Sequence, residues 1–541
     1  MSVRWLNCAI AAALALSTMS AGPARAASVS GWTGTWAAAM QSGGDSFTQQ
    51  TIRQIVHTSI GGSTARIDLS NVFGTAPLTL ADVHIAQAGS GSAIVGGTDH
   101  PVTFNGSTSV TIPAGGTATS DTVTVDIPAV TNMAISFYLA GNSGTSTDHQ
   151  LAMQTAYTAK GDLSGAANLA DAQTQNNYYF LSGLDVQNPN SQGAVVTLGA
   201  SITDGFGSSQ DGNDRWPDVL AGRLNAAGDP VGVLNAGISG NRLLVDGSGQ
   251  SAINRFARDV LDAPGVRWVV FSDDPINDLG STSPQPTAAQ LISGIQQLVG
   301  VAHQNGIMFI CSTLTPYQGA GYWNSSGEAA REAIDDFVRG ANSGCDGVID
   351  QDTATHNPSA PTWYLPAYDS GDHLHPNNAG YQAIGNAVNL GQFTPADVPV
   401  ISLRAHANDH FVEAADGGSS ALIADATTIG SAAEFDEISE GNGQIALRAN
   451  ANGEVVTAEN AGAAPLIANR TAVGPWETFQ LIHNADGSIS LKANADGDYV
   501  TAEQAGAQPL IANRTAIGAW EEFDLVQDNK PATEDFGHAA H

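Results

Sequence analysis

The most constraining feature of this 541-residue chain is an internal repeat that occupies its last third. Apolar residues return three times at intervals of 44 residues, in the series Ile401, Ile445 and Ile489, the series Leu422, Leu466 and Leu510, and the series Phe435, Phe479 and Phe523. Each copy combines short strand patterns with Asn-Gly or Asp-Gly turns. Because an open solenoid would need capping repeats, three copies of this length favour a closed β-trefoil. We therefore expect a β-trefoil over residues 397–527 and a short disordered tail at 528–541.

A different pattern occupies residues 191–396, where short apolar strands alternate with helical stretches. The strand patterns lie at 194–198, 231–235, 267–271, 307–310 and 347–350, and the helical ones at 216–224, 287–305 and 327–339. Fully apolar strands between helices indicate a parallel sheet that is covered on both faces. We therefore predict a flavodoxin-like, three-layer α/β/α domain, in which a ligand would bind beyond the carboxyl ends of the strands.

Residues 27–190 alternate short β-branched runs with Gly-Gly, Asn-Gly and Pro turn signals. This spacing predicts an antiparallel, β-sandwich-like N-terminal domain. The polar, Pro-containing segment 187–191 marks its end, because the pattern changes there. The chain is thus expected to be multidomain, all-β at both ends and α/β in the middle.

The first 26 residues have the pattern of an export signal. Arg4 precedes a short apolar run at residues 8–16, and Ala24-Arg-Ala26 forms a small-residue cleavage site. A signal of this kind predicts a secreted or periplasmic protein.

Charge and cysteine content narrow the classes of function. The chain carries 19 Lys and Arg against 52 Asp and Glu, a formal net charge of −33, and a field of this sign repels nucleic-acid phosphates and anionic lipid. No stretch after the N-terminal segment is apolar for as long as a membrane span requires.

Without its signal the chain keeps Cys311 and Cys345, which favour one disulfide in an oxidising compartment, with two free buried thiols as the alternative. Two cysteines alone cannot form a structural zinc site.

Candidate catalytic residues follow the predicted strands of the α/β domain. Ser201 comes at the turn between the first strand and a helix, where a serine hydroxyl is exposed as a nucleophile requires. The second strand leads to Gly240, which lets backbone N–H groups approach a ligand closely, and the third leads to Asn277, a neutral amide donor. Near the end of the domain, Asp372 precedes His375 by three residues, a spacing at which the carboxylate can orient the imidazole as a base.

These four segments, in this order, resemble the SGNH (GDSL-type) hydrolase superfamily over most of the α/β domain. The resemblance implies that Ser201 is the nucleophile and that Asp372 and His375 activate it. It also implies that Ser201, Gly240 and Asn277 supply the oxyanion-hole donors of a serine carboxylic-ester hydrolase, with neither metal nor organic cofactor. The N-terminal region is similar to the β-rich regions that secreted bacterial members often carry.

The sequence departs from the family pattern at two positions. Ala200 stands where Asp is usual, which is tolerable because that Asp is not the nucleophile. Pro275 stands where Gly is usual, and because proline lacks an N–H and fixes φ, it puts the placement of Asn277 in question. Asn277 as a structural turn residue is therefore the alternative. An intact Gly-Asp-Ser at 44–46 follows a Gly-rich loop instead of an apolar strand, and we interpret it as unrelated to catalysis.

Other residues have alternative interpretations. His373 is nearer to Asp372 than His375 is and is the rival base. His57, Arg66 and Asn71 are expected to serve the N-terminal fold in preference to a substrate pocket. Trp476 and Trp520 return at the 44-residue spacing, which favours trefoil architecture over sugar-stacking platforms.

The expected function is a secreted serine esterase acting on carboxylic esters, with O-acetyl or other acyl groups on carbohydrate favoured. The alternatives are a lipase or general acyl hydrolase of the same fold, and a catalytically decayed carbohydrate-binding protein. The repeats resemble the fascin-like β-trefoil modules of bacterial carbohydrate-active enzymes. That resemblance implies a glycan ligand and a targeting role, with a stabilising appendage as the alternative.

Overall fold

The structure is a computed structural model that describes residues 31–393, 400–441, 443–452, 454–470 and 473–527. The predicted export signal at 1–26 and the predicted tail at 528–541 lie outside the described residues. Among the helices of the described ranges, none combines the length and the apolar character that crossing a bilayer requires.

The N-terminal region is built from antiparallel sheets that share one apolar core. One sheet has the order β1-β15-β4-β8 with β9 beside β4, a second has the order β13-β12-β3-β10-β5-β6 with β7 beside β5, and a small third sheet is β14-β11-β2. Alternate residues of β4, such as Ala65, Ile67 and Leu69, point into the core because side chains alternate along a strand. The strands are β1 Thr33–Ala37, β2 Gln41–Ser42, β3 Gln50–His57, β4 Gly62–Ser70, β5 Leu78–Gln87, β6 His100–Val102, β7 Ser109–Ile112, β8 Thr117–Thr119, β9 Val123–Ile127, β10 Asn132–Leu139, β11 Thr147–His149, β12 Ala156–Lys160, β13 Gln173–Gln175, β14 Tyr178–Tyr179 and β15 Leu181–Gln187.

The middle region is a parallel α/β domain with the strand order β17-β16-β18-β19-β20. All seven residues of β16 are buried, as the continuous apolar pattern predicts for a strand covered on both faces. Helix α5 begins where Thr287 and Gln290 form a reciprocal capping box. Its elements are β16 Gly193–Gly199, α1 Ser201–Asp204, α2 Trp216–Ala227, β17 Val231–Gly237, α3 Ala252–Phe256 followed by a π-helical turn at Ala257–Leu261, β18 Val266–Phe271, α4 Asp274–Ser281, α5 Ala288–Gln304, β19 Met308–Ser312, α6 Ser325–Arg339, β20 Gly347–Ile349, α7 Gln351–Thr355, β21 His356–Asn357, β22 Ala360–Tyr364, α8 Asn378–Ala387 and a 3₁₀ turn at Leu390–Phe393.

The N-terminal region covers β17, the edge strand of the parallel sheet. Val233 N–H donates to Ser59 Oγ at 2.9 Å, and Ala38 forms an isolated parallel bridge with Asn235 of β17. The backbone of Gly34 lies so close to Gly232 that a Cβ added at Gly232 would stand 2.1 Å from the Gly34 backbone oxygen. Because an uncovered edge strand is prone to pair with other chains, this packing protects the sheet.

Cys311 and Cys345 form a disulfide with a Cα–Cα distance of 5.8 Å. Cys311 pairs with Val348 in the parallel ladder, so a direct in-register bridge is impossible. The chain before β20 turns back at Gly344, whose φ of +79° suits glycine, and brings Cys345 to Cys311. The predicted disulfide is therefore confirmed.

The C-terminal region is a β-trefoil whose three copies repeat the same pairing. Ile401 faces Phe435, Ile445 faces Phe479 and Ile489 faces Phe523 in the antiparallel ladders. All nine residues of the 44-residue series are buried in one core, and β34 pairs with β23 to close the barrel. The strands are β23 Val400–Ala405, β24 Phe411–Ala414, β25 Leu422–Ala426, β26 Phe435–Gly441, β27 Gln444–Ala449, β28 Val455–Ala458, β29 Leu466–Arg470, β30 Phe479–His483, β31 Ile489–Ala493, β32 Tyr499–Thr501, β33 Ile511–Arg514 and β34 Phe523–Gln527. The domain boundaries at 190/191 and 396/397 stay predictions.

Candidate active site

Ser201 is the first residue of the four-residue helix α1 and follows the buried strand β16. As a first helical residue it has an N–H without an intrahelical acceptor, so this donor is available to a ligand. Strand β16 lies between β17 and β18, and the chain leaves those two strands toward Gly240 and Asn277. The topology therefore brings the three predicted segments to one edge of the sheet.

A carboxylate that the sequence analysis did not single out fixes the turn around Ser201. Asp273 is the second residue after the end of β18 and is buried. It accepts hydrogen bonds from Ala200 N–H at 3.0 Å, Ile202 N–H at 2.8 Å and Thr203 Oγ1 at 2.7 Å. Its position at a strand end was the available signal, because such ends line the ligand crevice of a parallel sheet.

The structure joins Ser201, His375 and Asp372 in one hydrogen-bond chain. His375 Nε2 lies 2.8 Å from Ser201 Oγ, and His375 Nδ1 lies 2.6 Å from Asp372 Oδ2. The other oxygen of Asp372 accepts the N–H groups of Leu374 and His375, each at 2.9 Å. A carboxylate that orients an imidazole toward a serine is the arrangement that activates a serine hydroxyl.

Asp372 is held in its ionised form. Partial burial alone would raise its pKa, but the hydrogen bond from the His375 ring and those from the N–H groups of His375 and Leu374 outweigh burial and lower the pKa to about 2. The aromatic ring of Phe206 lies against His375 with a centroid distance of 4.4 Å and is 44% exposed. An apolar surface therefore adjoins the imidazole at the mouth of the site.

His373, the rival base, forms its side-chain hydrogen bond with a different carboxylate, that of Asp369. Its Nδ1 lies 2.5 Å from Asp369 Oδ2, and its ring packs edge-on against Trp363 at 5.4 Å. Within the described ranges, no hydrogen bond joins His373 to Ser201. The geometry therefore favours His375 as the partner of the serine.

Gly240 lies in a turn that we call the Gly240 turn, residues 238–241, closed by a 2.9 Å hydrogen bond from Asn241 N–H to Ile238 O. Its φ of +78° is in the left-handed region that favours glycine. In the described part of the chain, Gly240 N–H has no acceptor. The donor is thus available to a ligand.

Asn277 lies in the first turns of α4 and is buried. Its Nδ2 donates to Asn241 O at 2.9 Å, and its Oδ1 accepts from Tyr322 Oη at 3.1 Å, so one amide hydrogen remains for a ligand. Burial raises the pKa of Tyr322, which keeps that hydroxyl protonated as a donor. Pro275 falls in the first turn of α4, where a missing N–H costs nothing, and the helix that carries Asn277 forms intact.

The α1 helix and the Gly240 turn are tied together by Asp204, another residue that the sequence analysis did not assign. Asp204 Oδ2 accepts from Ser239 N–H at 2.8 Å and from Ser239 Oγ at 2.7 Å. A Cβ at Gly237 would lie 2.3 Å from Asp204 N, so only glycine allows α1 to pack this closely on the end of β17.

His57, Arg66, Asn71 and Ser46 lie in the N-terminal region and form hydrogen bonds within it. His57 Nδ1 contacts Asn132 Oδ1 at 2.7 Å, and Arg66 Nε donates to Asp185 at 2.7 Å. Asn71 Nδ2 donates to backbone oxygens, including Ala76 O at 2.9 Å. Ser46 Oγ of the Gly-Asp-Ser at 44–46 donates to Asn142 Oδ1 at 3.0 Å.

Residues 197–383 match the model of the GDSL-like Lipase/Acylhydrolase family. No curated protein matches the chain. Among solved structures, the lipase/acylhydrolase from Enterococcus faecalis is 23% identical, over 36% of this chain and 92% of that chain, with a TM-score of 0.27. A GDSL-like lipase from Bacteroides thetaiotaomicron VPI-5482 is 17% identical, over 37% and 88%, with a TM-score of 0.29. A BEL β-trefoil is 14% identical, over 25% and 95%, with a TM-score of 0.22. The matched segment runs from β16 to α8, so this chain contains a domain of the GDSL-like lipase/acylhydrolase family, which suggests an ester hydrolase.

Proposed function

We propose that the chain is a secreted serine esterase in which Ser201 forms an acyl-enzyme. The observation that carries this proposal is the continuous chain of hydrogen bonds from Asp372 through His375 to Ser201 Oγ. His375 takes the hydroxyl proton as Ser201 attacks the ester carbonyl, and it then gives that proton to the departing alcohol. Water, deprotonated by the same imidazole, attacks the acyl-enzyme and releases the acid.

The oxyanion of the tetrahedral intermediate is stabilised by Ser201 N–H, Gly240 N–H and the free amide hydrogen of Asn277. Each donor of this kind contributes on the order of 3 kcal/mol in the transition state. Asp372 stays ionised because its pKa is about 2, and it stabilises the imidazolium that forms on His375.

Ser201→Ala tests the mechanism, and the chain offers a matched control. Ser46→Ala removes the serine of the Gly-Asp-Ser at 44–46, which is the only intact copy of that motif in the sequence. We expect Ser201→Ala to abolish hydrolysis of p-nitrophenyl acetate and labelling by a fluorophosphonate, and Ser46→Ala to keep both. Circular dichroism and thermal midpoints establish that the variants are folded. Full activity of folded Ser201→Ala would refute the proposal, and an inactive wild-type protein would favour the decayed binding protein instead.

The substrate class that we propose is an acylated carbohydrate. A cavity of about 440 Å³ adjoins the loop that carries Asp372 and His375, and Trp363, Asp369 and His373 are among its lining residues. This volume is within the range of small-ligand sites. An aromatic platform beside a carboxylate and an imidazole fits a sugar ring, which has apolar faces and hydroxyl edges.

Trp363→Ala tests this substrate class. We expect a higher KM for acetylated oligosaccharides, because the platform is lost. We expect kcat/KM for p-nitrophenyl acetate to be unchanged, because this ester has no sugar ring to place on the platform. An unchanged KM for the saccharide would contradict the sugar assignment and leave the esterase mechanism intact.

Phe206 supports a second candidate, a lipase or general acyl hydrolase. Its exposed ring beside His375 offers an apolar surface to an acyl chain. A series of p-nitrophenyl esters distinguishes the two candidates. A preference for long acyl chains over acetate would favour the lipase.

The trefoil supports a targeting role through two equivalent sites. Arg470 pairs with Glu459 at 2.9 Å and Arg514 with Glu503 at 2.6 Å, and the neighbouring Trp476 and Trp520 are 38% and 39% exposed. The first copy has alanine at all three equivalent positions: 415, 426 and 432. We propose that copies two and three bind glycan and hold the esterase near a polysaccharide.

The double variant Trp476→Ala/Trp520→Ala tests the targeting role in the full chain. We expect unchanged activity on p-nitrophenyl acetate, and weaker binding and lower activity on insoluble acetylated polysaccharide. Deletion after Pro395 should have the same effect. Retained polymer binding in both variants would favour a stabilising appendage.

Export is supported by the predicted signal and by the disulfide, since disulfides persist in oxidising compartments. N-terminal sequencing of the protein from the medium and periplasm tests it. The mature protein should begin near Ala27, and a cytoplasmic protein that keeps residues 1–26 would contradict export.

A further inference from the structure

His149 is a buried histidine that the N-terminal region places directly behind the candidate active site. It ends β11, its side chain is only 5% exposed, and it lies 3.0 Å from Asp204 of helix α1. We propose that His149 is a positioning residue: as an imidazolium it holds Asp204, and through Asp204 it fixes the nucleophile helix and the Gly240 turn in the arrangement that catalysis needs. This inference rests on the proposed esterase function.

The hydrogen-bond partners of His149 require both ring nitrogens to carry hydrogen. Nδ1 lies 3.0 Å from Ala39 O. Nε2 lies 3.1 Å from Leu151 O and 3.0 Å from Asp204 Oδ1. Carbonyl and carboxylate oxygens only accept hydrogen bonds, and a neutral imidazole has only one N–H. A neutral His149 would therefore turn a lone pair toward an acceptor, so these contacts fit the imidazolium.

Asp204 connects this imidazolium to two parts of the candidate site. Its Oδ1 faces His149, and its Oδ2 accepts both hydrogen bonds from Ser239, the residue before Gly240. Asp204 also belongs to the same short helix as Ser201. A displacement of its carboxylate would thus move an oxyanion donor and the nucleophile relative to each other.

The charged and titratable groups around His149 come from several elements. Asp204 faces it from α1, Asp148 precedes it on β11, and the ring of Tyr178 on β14 stacks near it at 6.2 Å. Arg215 is a further charged group near this cluster. Its positive charge acts on the Tyr178 hydroxyl, and the negative charge of Asp204 acts on the Arg215 guanidinium. Burial opposes a charge on His149, but the charge of Asp204 and the hydrogen bonds to Asp204, Ala39 O and Leu151 O outweigh burial and raise the pKa above its ordinary value of 6.5.

This connection gives the N-terminal region a role beyond covering β17. The position of His149 depends on Ala39 and Leu151, which lie in segments of the N-terminal region that no motif of the hydrolase domain specifies. The hydrolase domain therefore depends on the N-terminal region for the contact of His149 with Asp204, which lies on the same helix as Ser201.

A matched pair of substitutions separates the two sides of the ring. His149→Asn keeps a donor near the Nδ1 position, toward Ala39 O, and removes the one toward Asp204. His149→Gln reaches the Nε2 position and keeps a neutral donor toward Asp204. Because a misplacement of about 1 Å can cost on the order of 100-fold in rate, we expect kcat on p-nitrophenyl acetate to fall about 10- to 100-fold in His149→Asn and less in His149→Gln, with KM little changed.

Two further readouts distinguish positioning from a merely structural role. The rate of fluorophosphonate labelling of Ser201 should fall in parallel with kcat. In the wild type, kcat should decline at alkaline pH as the imidazolium loses its proton, and His149→Gln, which does not titrate there, should lack that decline. His84→Asn is the control, because His84 also pairs with carboxylates, at 2.9 Å from Asp99, but away from the site; its kcat should match the wild type.

A lower thermal midpoint of His149→Asn with unchanged kcat and labelling would overturn the inference, as would equal losses of kcat in His149→Asn and His149→Gln. If His149→Asn does not fold, the pH dependence of kcat in the wild type tests the inference instead. An alkaline decline of kcat that follows the NMR titration of the His149 ring supports the inference, and a constant kcat across that titration overturns it. Activity retained by Ser201→Ala would instead refute the esterase proposal itself.

Discussion

Replacement of Asp372 by Asn tests how the hydrogen bonds of Asp372 set the tautomer of His375. In the wild type, Asp372 Oδ1 accepts the N–H groups of Leu374 and His375, and Oδ2 faces His375 Nδ1. Two backbone donors therefore hold the carbonyl oxygen of the new amide on the Oδ1 side. The NH₂ group must then face Nδ1, which becomes an acceptor, and the ring proton moves to Nε2. A protonated Nε2 cannot take the proton of Ser201.

The size of the effect follows from two contributions. The lost hydrogen bond to a charged group contributes about 1.5–3 kcal/mol. Returning the ring to the reactive tautomer turns Nδ1–H toward the amide NH₂, and this mismatch of two donors costs about 1–3 kcal/mol. The Asp372 side chain is 43% exposed, and solvent screening places both contributions in their lower halves. A total of about 3–4 kcal/mol corresponds to a fall in kcat of about 10²- to 10³-fold.

The assay is steady-state hydrolysis of p-nitrophenyl acetate, with kcat and KM determined separately. Asp346→Asn is the matched control, because Asp346 also lies 2.8 Å from a histidine nitrogen, that of His303, but outside the site. We expect KM to stay constant in Asp372→Asn and both constants to stay constant in Asp346→Asn. An Asp372→Asn variant with wild-type kcat would refute the reasoning about the triad.

Three predictions concern stability. Burial raises the pKa of Asp274 to about 8 from an ordinary 3.8, so the stability contributed by its protonated form is complete below about pH 4 and is lost as the pH rises through 8. Asp274→Asn should therefore leave the thermal midpoint unchanged at about pH 4 and raise it relative to the wild type at about pH 9. An unchanged midpoint at both pH values would contradict this prediction. Replacing Cys311 and Cys345 together by Ala opens a loop of 34 residues and should lower the free energy of unfolding by about 4 kcal/mol in urea denaturation, whereas no change would indicate that the bridge does not constrain the unfolded chain. Arg255 is fully buried and donates to acceptors on three segments around β16 and β17, so Arg255→Met should cost at least about 3 kcal/mol in the same assay, and a loss below about 1 kcal/mol would show that these acceptors find other donors.

The sequence alone predicted the architecture of the three regions and the order of the candidate catalytic residues along the chain. The 44-residue spacing of residues such as Ile401 and Phe435 predicted the trefoil, because equivalent residues of a threefold fold must bury equivalent side chains. The apolar strands placed Ser201, Gly240 and Asn277 at strand ends, and parallel strands bring their carboxyl ends to one edge. These predictions depend on local periodicity and chain direction, which the sequence contains.

Only the tertiary structure decided which side chains contact each other. Asp372 and Asp369 are near both histidines in sequence, and the backbone of the loop assigns His375 to Asp372 and His373 to Asp369. The fit of Pro275 in the first turn of α4 likewise depends on where that helix begins. His149 reaches Asp204 across 55 residues and from a separate sheet. Hydrogen bonds are short and directional, so contacts between distant segments depend on distances and angles that only packing sets, and no spacing along the chain encodes them.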